Sequence, residues 1–362
     1  MAFDTQYRDP DLCRRLSERI RSVCGREIRI MEVCGTHTVS VFRHGIRPML
    51  GESIRLLSGP GCPVCVTDQG DIDAVIAMAE MERTIVATFG DLMRVPGTRS
   101  SLRGEKACGC DVRVVYSAAD ALAIARANPD RQVVFPGIGF ETTAPAVAAS
   151  VITASEQGIS NFSVACSHKR VPPALEALSA KDDAAVDGFL LPGHVSVVIG
   201  LNGYADFFRK YGVPSVVAGF EPVDILSALL RLAEMIAAGS PGLENAYGRA
   251  ITDHGNPRAR EVMDTVFCPA DSAWRGLGII PGGGMAFREA FSSFDAFRRF
   301  SVHPTPAPPP AGCSCGDILA GKALPSDCSL YGSACTPIDP VGPCMVSSEG
   351  TCAAYYQYGG GL

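Results

Sequence analysis

The chain has 362 residues, 47% hydrophobic and 19% charged, with a mean hydropathy of +0.16; this is too apolar for disorder and long enough for two or three domains at about 150 residues each. Lys and Arg number 32 against 38 Asp and Glu, a formal charge of -6, so the basic surface that nucleic-acid binding needs is missing. Met1 to Arg15 lacks the apolar run of a secretory signal, and the 18 uncharged residues between Asp187 and Asp206 are broken by Pro192, Gly193, His194 and Asn202, so a cytoplasmic protein with no membrane span is expected.

In chain order, Leu12, Leu16, Ile20 and Val23 stand at helical spacing and predict an amphipathic first helix. Apolar runs at Ile28 to Val33, Ile54 to Leu57, Thr84 to Phe89 and Val112 to Tyr116 read as strands, with helical periods such as Ile72 to Met81 and Ala118 to Ala127 between or after them. A second series follows, with strands at Val133 to Phe135, Phe162 to Cys166, Gly188 to Leu191 and Ser215 to Ala218. Its helices are Ala144 to Gln157, Pro173 to Ser179 and Ile225 to Ala238. This β/α alternation predicts an α/β protein with two tandem doubly wound parallel-sheet (Rossmann-like) domains, joined near Asn128 to Arg131. Beyond Gly239 the alternation fades into helical and Gly-rich sequence, where the Gly282 to Gly284 run reads as a turn. Pro304 to Gly312, five prolines in nine residues, reads as an extended spacer. The expected domains are 14–127, 128–225, and a helical and cysteine-rich third domain of 226–362 together with 1–13.

Fifteen cysteines in a chain expected to stay in a reducing compartment call for metal ligation or thiol redox chemistry. In open parallel sheets ligands bind beyond the carboxyl ends of the strands. The segments following the expected strands there carry Cys34 and His37, the Ser58 to Cys65 loop, Gly90-Asp91, Gly137 to Thr143, Ser167 to Lys169, Pro192 to Ser196, and Gly219 to Pro222.

Cys62 and Cys65 are two residues apart at an expected helix N-terminus, which favours thiolate and allows either a disulfide or chelation of one metal ion. Cys34 and His37 pair a soft thiolate with an imidazole able to bind iron or move a proton; a buried structural cysteine is the competing reading. His194 has a similar alternative as a core histidine, while His44, His254 and His303 read as surface or structural residues. Gly137 and Gly139 resemble part of a dinucleotide fingerprint, but its third glycine and its acidic partner are missing, so nucleotide binding is not supported. In the tail, Cys315, Cys328, Cys335 and Cys352 supply the four thiolates of a [4Fe-4S] cluster. Zinc is the alternative occupant, although zinc sites are usually built from short paired knuckles. Cys313 and Cys344 are spare thiols able to enter the ligand set.

Together, Met31–His37 (MEVCGTH), Ser58–Cys65 (SGPGCPVC), Phe89–Asp91 (FGD), Gly139–Pro145 (GFETTAP), Pro192–Ser196 (PGHVS), Gly219–Pro222 (GFEP) and Pro340–Cys352 (PVGPCMVSSEGTC) resemble the HypD family of hydrogenase maturation factors over nearly the whole chain. The resemblance implies a scaffold on which the Fe(CN)2CO moiety of [NiFe]-hydrogenase is built. Its partners would be a HypC-type small chaperone and a HypE-type donor supplying cyanide from a protein thiocyanate, joined in transient complexes by a monomeric chain. Cys34 matches the cysteine that holds Fe(II) carrying cyanide and carbonyl ligands, and His37 stands beside it as proton donor or outer partner. Cys62 and Cys65 match the redox pair, and Cys315, Cys328, Cys335 and Cys352 match the cluster spacing; Asp91 and His194 lie within matched motifs and join the catalytic candidates. A disulfide reductase of the ferredoxin:thioredoxin reductase type is the alternative function. The sequence departs from the pattern at Asp68, where proline is expected, and at Cys108 and Cys110, where small residues are usual.

Overall fold

The computed structural model describes residues 5–180, 186–305 and 307–359; Pro306 of the proline-rich spacer lies outside the described residues. The strands are β1 (Ile28–Glu32), β2 (Ile54–Ser58), β3 (Thr84–Thr88), β4 (Asp111–Val114), β5 (Gln132–Gly137), β6 (Phe162–Cys166), β7 (Gly188–Pro192), β8 (Ser215–Ala218), β9 (Leu243–Asn245), β10 (Phe267–Trp274) and β11 (Gly278–Phe287). Two sheets are entirely parallel, one in the order β2-β1-β7-β8-β9 and the other β4-β3-β5-β6. Apart from the edge strands β4 and β9 their strands are short, largely apolar runs, and β3, β7 and β8 are buried at every position, as strands covered on both faces must be.

The α/β architecture with two parallel sheets and a cysteine-rich region is as expected, but sheet membership does not follow chain order. The chain leaves the first sheet after β2, builds the whole second sheet, and returns at β7. The join expected near residues 128–131 therefore falls between β4 and β5, both of which pair with β3. The physical reason is that a parallel pairing requires only some crossover connection. Strand periodicity is the same whether the next strand joins the old sheet or starts a new one.

The outer face of the first sheet, with Ile30, Leu56, Leu190 and Val216, packs against the Pro10–Val23, Gly35–Arg43 and Pro222–Ala238 helices. The outer face of the second, with Ile85, Phe135 and Val164, is covered by Ala118–Ala127 and Ala144–Glu156. The two inner faces share one continuous core that also takes in the tail: Met31 and Phe189 from the first sheet, Val86 and Val134 from the second, and Cys315, Ile318 and Leu319 from the tail.

The region beyond Gly239 contains an antiparallel hairpin, β10 and β11, with a bulge between Ala270 and Ser272. The Gly282 to Gly284 run lies inside β11 rather than in a turn. A side chain on Gly283 would press on Ile280 and on the Trp274 indole, and one on Gly284 would strike Ser272, so close packing demands glycine at these two positions, while Gly282 adopts φ 61. The reversal itself uses Gly276 at φ 76. Among the described residues no helix is long and apolar enough to cross a membrane.

Candidate functional site

The site is built where β1 and β2 end. Cys34 follows β1 as the N-cap of the Gly35–Arg43 helix. The entry of that helix is held to the strand by buried Glu32, which accepts from the Thr38 hydroxyl at 2.6 Å and faces the Arg47 guanidinium at 3.3 Å. The loop after β2 is pressed against the same turn: the Gly35 N–H donates to the Gly61 carbonyl at 3.2 Å. A Cβ on Gly61 would overlap the Cys34 backbone and one on Gly59 would overlap Met31, which accounts for the Gly-Pro-Gly sequence. The next residue, Cys62, caps the short Pro63–Val66 helix, its sulfur accepting from the Cys65 N–H at 3.3 Å. Cys62 and Cys65 are both buried and joined by a disulfide.

His37 is fully buried, and its Nε2–H donates to the Gly219 carbonyl after β8 at 3.0 Å. That bond leaves Nδ1 as the acceptor nitrogen, and Nδ1 is buried with no partner. Burial pushes the imidazole down to about 4, so the ring is neutral at pH 7. Phe220 lies against both imidazoles, with ring centroids 4.8 Å from His37 and 4.1 Å from His194. His194 keeps an exposed edge, and its partial burial lowers its pKa.

Burial, reinforced by the negative charge of Glu349, pushes the Cys34 thiol up to about 11, while the Thr36 and His37 amides and the Thr36 hydroxyl pull the other way. Glu349 comes from the tail. It accepts from the Thr36 hydroxyl at 2.8 Å, and its backbone fills the space a side chain on Gly35 would need. Sequence reasoning assigned Glu349 no role, although it is the only charged residue after Asp339. Asp91 is exposed and accepts from the Ser347 hydroxyl at 3.2 Å, so it meets the tail at the rim instead of joining the buried thiols.

The tail reaches the site through its last helix, Thr351–Tyr358, whose Tyr355 meets Phe42 edge-on at 4.6 Å with Arg47 over both rings. The Cys65 sulfur lies 3.9 Å from the Pro343 carbonyl, and the residue after Pro343 is Cys344. Cys315, Cys328, Cys335 and Cys352 line one apolar cavity with Ile318, Leu330 and Met345. Cys313 and Cys344 line it equally, so six thiols surround the space where a cube needs four. They ring a cavity and not a point: among the described residues no three His, Cys, Asp or Glu side chains gather as one metal ion would require.

Beside them, buried Arg275 donates Nε to the Thr67 carbonyl at 3.0 Å and Nη1 to Gln69 at 2.9 Å, while its Nη2 is buried without a partner. The Cys313 and Cys344 thiols, with the Arg275 charge, hold Cys315 well below the usual thiol range. Thiolate donors, an apolar wall and an unspent guanidinium N–H suit an anionic iron–sulfur cluster. The free space at its centre is small, about 10 Å³ for the centre of a water-sized sphere. Admitting a cube thus requires the sulfurs to spread from their packing, in which Cys315 and Cys344 stand 2.7 Å apart.

The carboxyl end of the second sheet is occupied differently. Buried Lys169 reaches Asp71 at 3.1 Å, the Ser272 hydroxyl at 2.7 Å and the Ala273 carbonyl at 2.8 Å. Glu141 accepts from the Val171 N–H at 3.0 Å, and burial pushes it up to about 7. A side chain on Gly139 would strike Thr143, so this glycine serves packing of the chain on itself and not approach of a nucleotide.

A family model described as "HypD: Hydrogenase formation hypA family" matches residues 11–359. The chain belongs to the HypD family. Curated relatives of similar length include the hydrogenase expression/formation protein HupD of Azotobacter chroococcum mcd 1, 45% identical over 99% of this chain and 97% of that one. The hydrogenase maturation factor HypD of Rhodobacter capsulatus is 43% identical over 99% of both chains. The HypD of Escherichia coli K12 is 42% identical over 99% of this chain and 98% of its own. As a HypD-family chain the protein is a hydrogenase maturation factor, and the thiols gathered after β1 and β2 stand in the context of that role.

Proposed function

We propose that this chain is a cytoplasmic scaffold for assembly of the Fe(CN)2CO moiety of [NiFe]-hydrogenase. It would hold the iron as cargo on Cys34 together with a HypC-type chaperone and receive cyanide from a HypE-type donor. The observation that carries the reading is contiguity: the Gly61 carbonyl accepts from the amide following Cys34, Cys62 is the next residue along, and Cys65 touches the Pro343 carbonyl at the wall of the thiol cavity. Iron binding displaces the Cys34 proton, and the unpartnered Nδ1 of neutral His37, three residues along the same helix, would serve as its acceptor. His194, with its exposed edge, would exchange protons between this pocket and solvent. Cys315, Cys328, Cys335 and Cys352 would hold a [4Fe-4S] cluster, with Cys313 and Cys344 as alternates; when bound, it supplies single electrons toward the Cys62–Cys65 disulfide. Two electrons are needed to open that bond, giving two thiols with two protons taken up.

The test is infrared spectroscopy of the chain purified without oxygen together with its small chaperone. Cyanide and carbonyl stretches are expected in the wild type and absent in Cys34→Ala, which keeps the brown colour of the cluster. Stretches that persist in Cys34→Ala overturn the reading. Direct contact of the disulfide with the tail also favours a second reading, a disulfide reductase acting on a protein. Catalytic reduction of a protein disulfide that is undiminished in Cys34→Ala supports it. A colourless, zinc-loaded protein overturns both.

A further inference from the structure

The cavity of tail thiols has a second side, and that side is basic and exposed. Cys335 lies inside a tight loop: the Val341 N–H donates to its sulfur at 3.3 Å and the Thr336 N–H to the Asp339 carbonyl at 3.1 Å. The tip of that loop is Ile338, 90% exposed, three residues from Cys335 and so within about 11 Å of chain. The loop is tied to the second-sheet domain by Arg94, which donates to the Pro337 carbonyl at 2.9 Å and the Val346 carbonyl at 3.1 Å.

Arg94, Arg99 and Arg103, with Thr98, Ser100 and Ser101, form an open pocket against Ile338, Asp339 and Pro340. Arg99 and Arg103 are exposed, and among the described residues neither side chain has a hydrogen-bond or ion-pair partner. Asp339 is the one acidic residue lining the pocket, with the Asp73 carboxylate behind Thr98, accepting from its N–H and hydroxyl at 2.6 Å; three arginines outnumber them in a chain whose overall charge is -6. An exposed apolar tip rimmed by arginines is the composition of a docking surface, and its sign selects an acidic partner by steering.

We infer that the Arg94, Arg99, Arg103 and Ile338 face docks a small acidic one-electron carrier protein, which delivers electrons through the Cys335 loop to the cluster. This rests on the proposed cluster. Each encounter transfers one electron, oxidising the carrier and reducing the cluster by one, so opening one Cys62–Cys65 bond takes two encounters.

The experiment uses the full chain, wild type and R99E/R103E, with a reduced plant-type [2Fe-2S] ferredoxin as the acidic carrier and dithionite as a small reductant. Stopped flow follows loss of absorbance near 400 nm in the dithionite arm and recovery of the oxidised ferredoxin's visible absorbance in the ferredoxin arm, and binding of the oxidised ferredoxin is titrated by calorimetry. Expected is equal bleaching of both proteins by dithionite. With ferredoxin, the wild type should react at a rate that falls with salt, and R99E/R103E about tenfold or more slower at low salt. Ferredoxin rates that are equal in the two proteins, or indifferent to salt, overturn the docking. If dithionite bleaches neither protein, the cluster reading fails and the titration decides: salt-sensitive binding lost in R99E/R103E supports the docking face, and equal or absent binding in both overturns it.

Discussion

The two parallel sheets obey one rule and use it to opposite ends. Both gather their polar residues beyond the carboxyl ends of their strands. After β5 and β6 those residues are spent on the protein itself: Lys169 on Asp71, Ser272 and Ala273, and Glu141 on the Val171 amide. After β1, β2, β7 and β8 they are left with chemistry in hand: the Cys34 thiol, the unpartnered Nδ1 of His37, the exposed edge of His194, and a disulfide. His168 also has an unpartnered nitrogen, but its ring is packed among Gly137, Cys166 and Phe267. Position at a strand end is therefore not enough; unspent bonding capacity at a place other groups can reach separates site from scaffold.

The comparison breaks if substitutions after β6 disturb the thiols more than the fold. Lys169→Met leaves Asp71 without its buried cation and is expected to cost about 3 to 5 kcal/mol in denaturant unfolding, with iron retention by the folded fraction unchanged.

Glu141 gives a pH signature. Its pKa is raised from 4.5 to about 7 in the folded chain, so between those values the folded state binds more protons than the unfolded one. Its contribution is intact below about pH 4.5 and is lost as pH rises toward 7. Glu141→Gln removes that slope, and above pH 7 it is expected to exceed the wild type by up to about 3 kcal/mol at roughly 1.4 kcal/mol per pH unit. Parallel curves of stability against pH for the two proteins contradict this.

Two glycines sharpen the contrast. Gly61→Ala forces the loop off the Cys34 backbone and Gly139→Ala crowds Thr143, each costing about 1 to 3 kcal/mol. Only the first is expected to change the reduction midpoint of the Cys62–Cys65 disulfide, measured by quantitative alkylation in dithiol buffers. The smallest stability change belongs to Cys34→Ala, below about 1 kcal/mol by thermal unfolding, against complete loss of the cyanide- and carbonyl-bearing iron while the cluster iron stays.

The eight strands β1 to β8 were legible because they are short, largely apolar runs bounded by turn residues, and Phe162–Cys166 and Ser215–Ala218 match the expected bounds; β9, with one apolar residue in Leu243–Asn245, was not. The exchange of sheets between β2 and β7 was not legible, because no residue in β1 names β7 as its neighbour. The hairpin escaped because β10 carries Pro269 and Asp271 and lacks clean alternation, and because the need for Gly283 arises from Trp274 and Ile280, a tertiary cause. Within the site, Cys34, His37 and Cys62 could be found from their places after strands. Glu349 could not, since its partner Thr36 is 313 residues away; its standing as the one charged residue after Asp339 was the available signal. Arg275 gave no signal at all, because its meaning comes from burial beside Cys315.

The most direct test of the account is whether Cys34 and the Cys62 loop are neighbours in solution. In Cys65→Ser the Cys62 thiol has lost its partner, and mild oxidation with diamide, followed by peptide mapping, reads which sulfur it takes instead. Given that Gly61 lies on the Cys34 backbone and that disulfides form across Cα separations of about 4.4 to 6.8 Å, a Cys34–Cys62 bond is expected as the main product. Cys62 left free, or paired elsewhere while Cys34 stays reduced, would contradict the shared site.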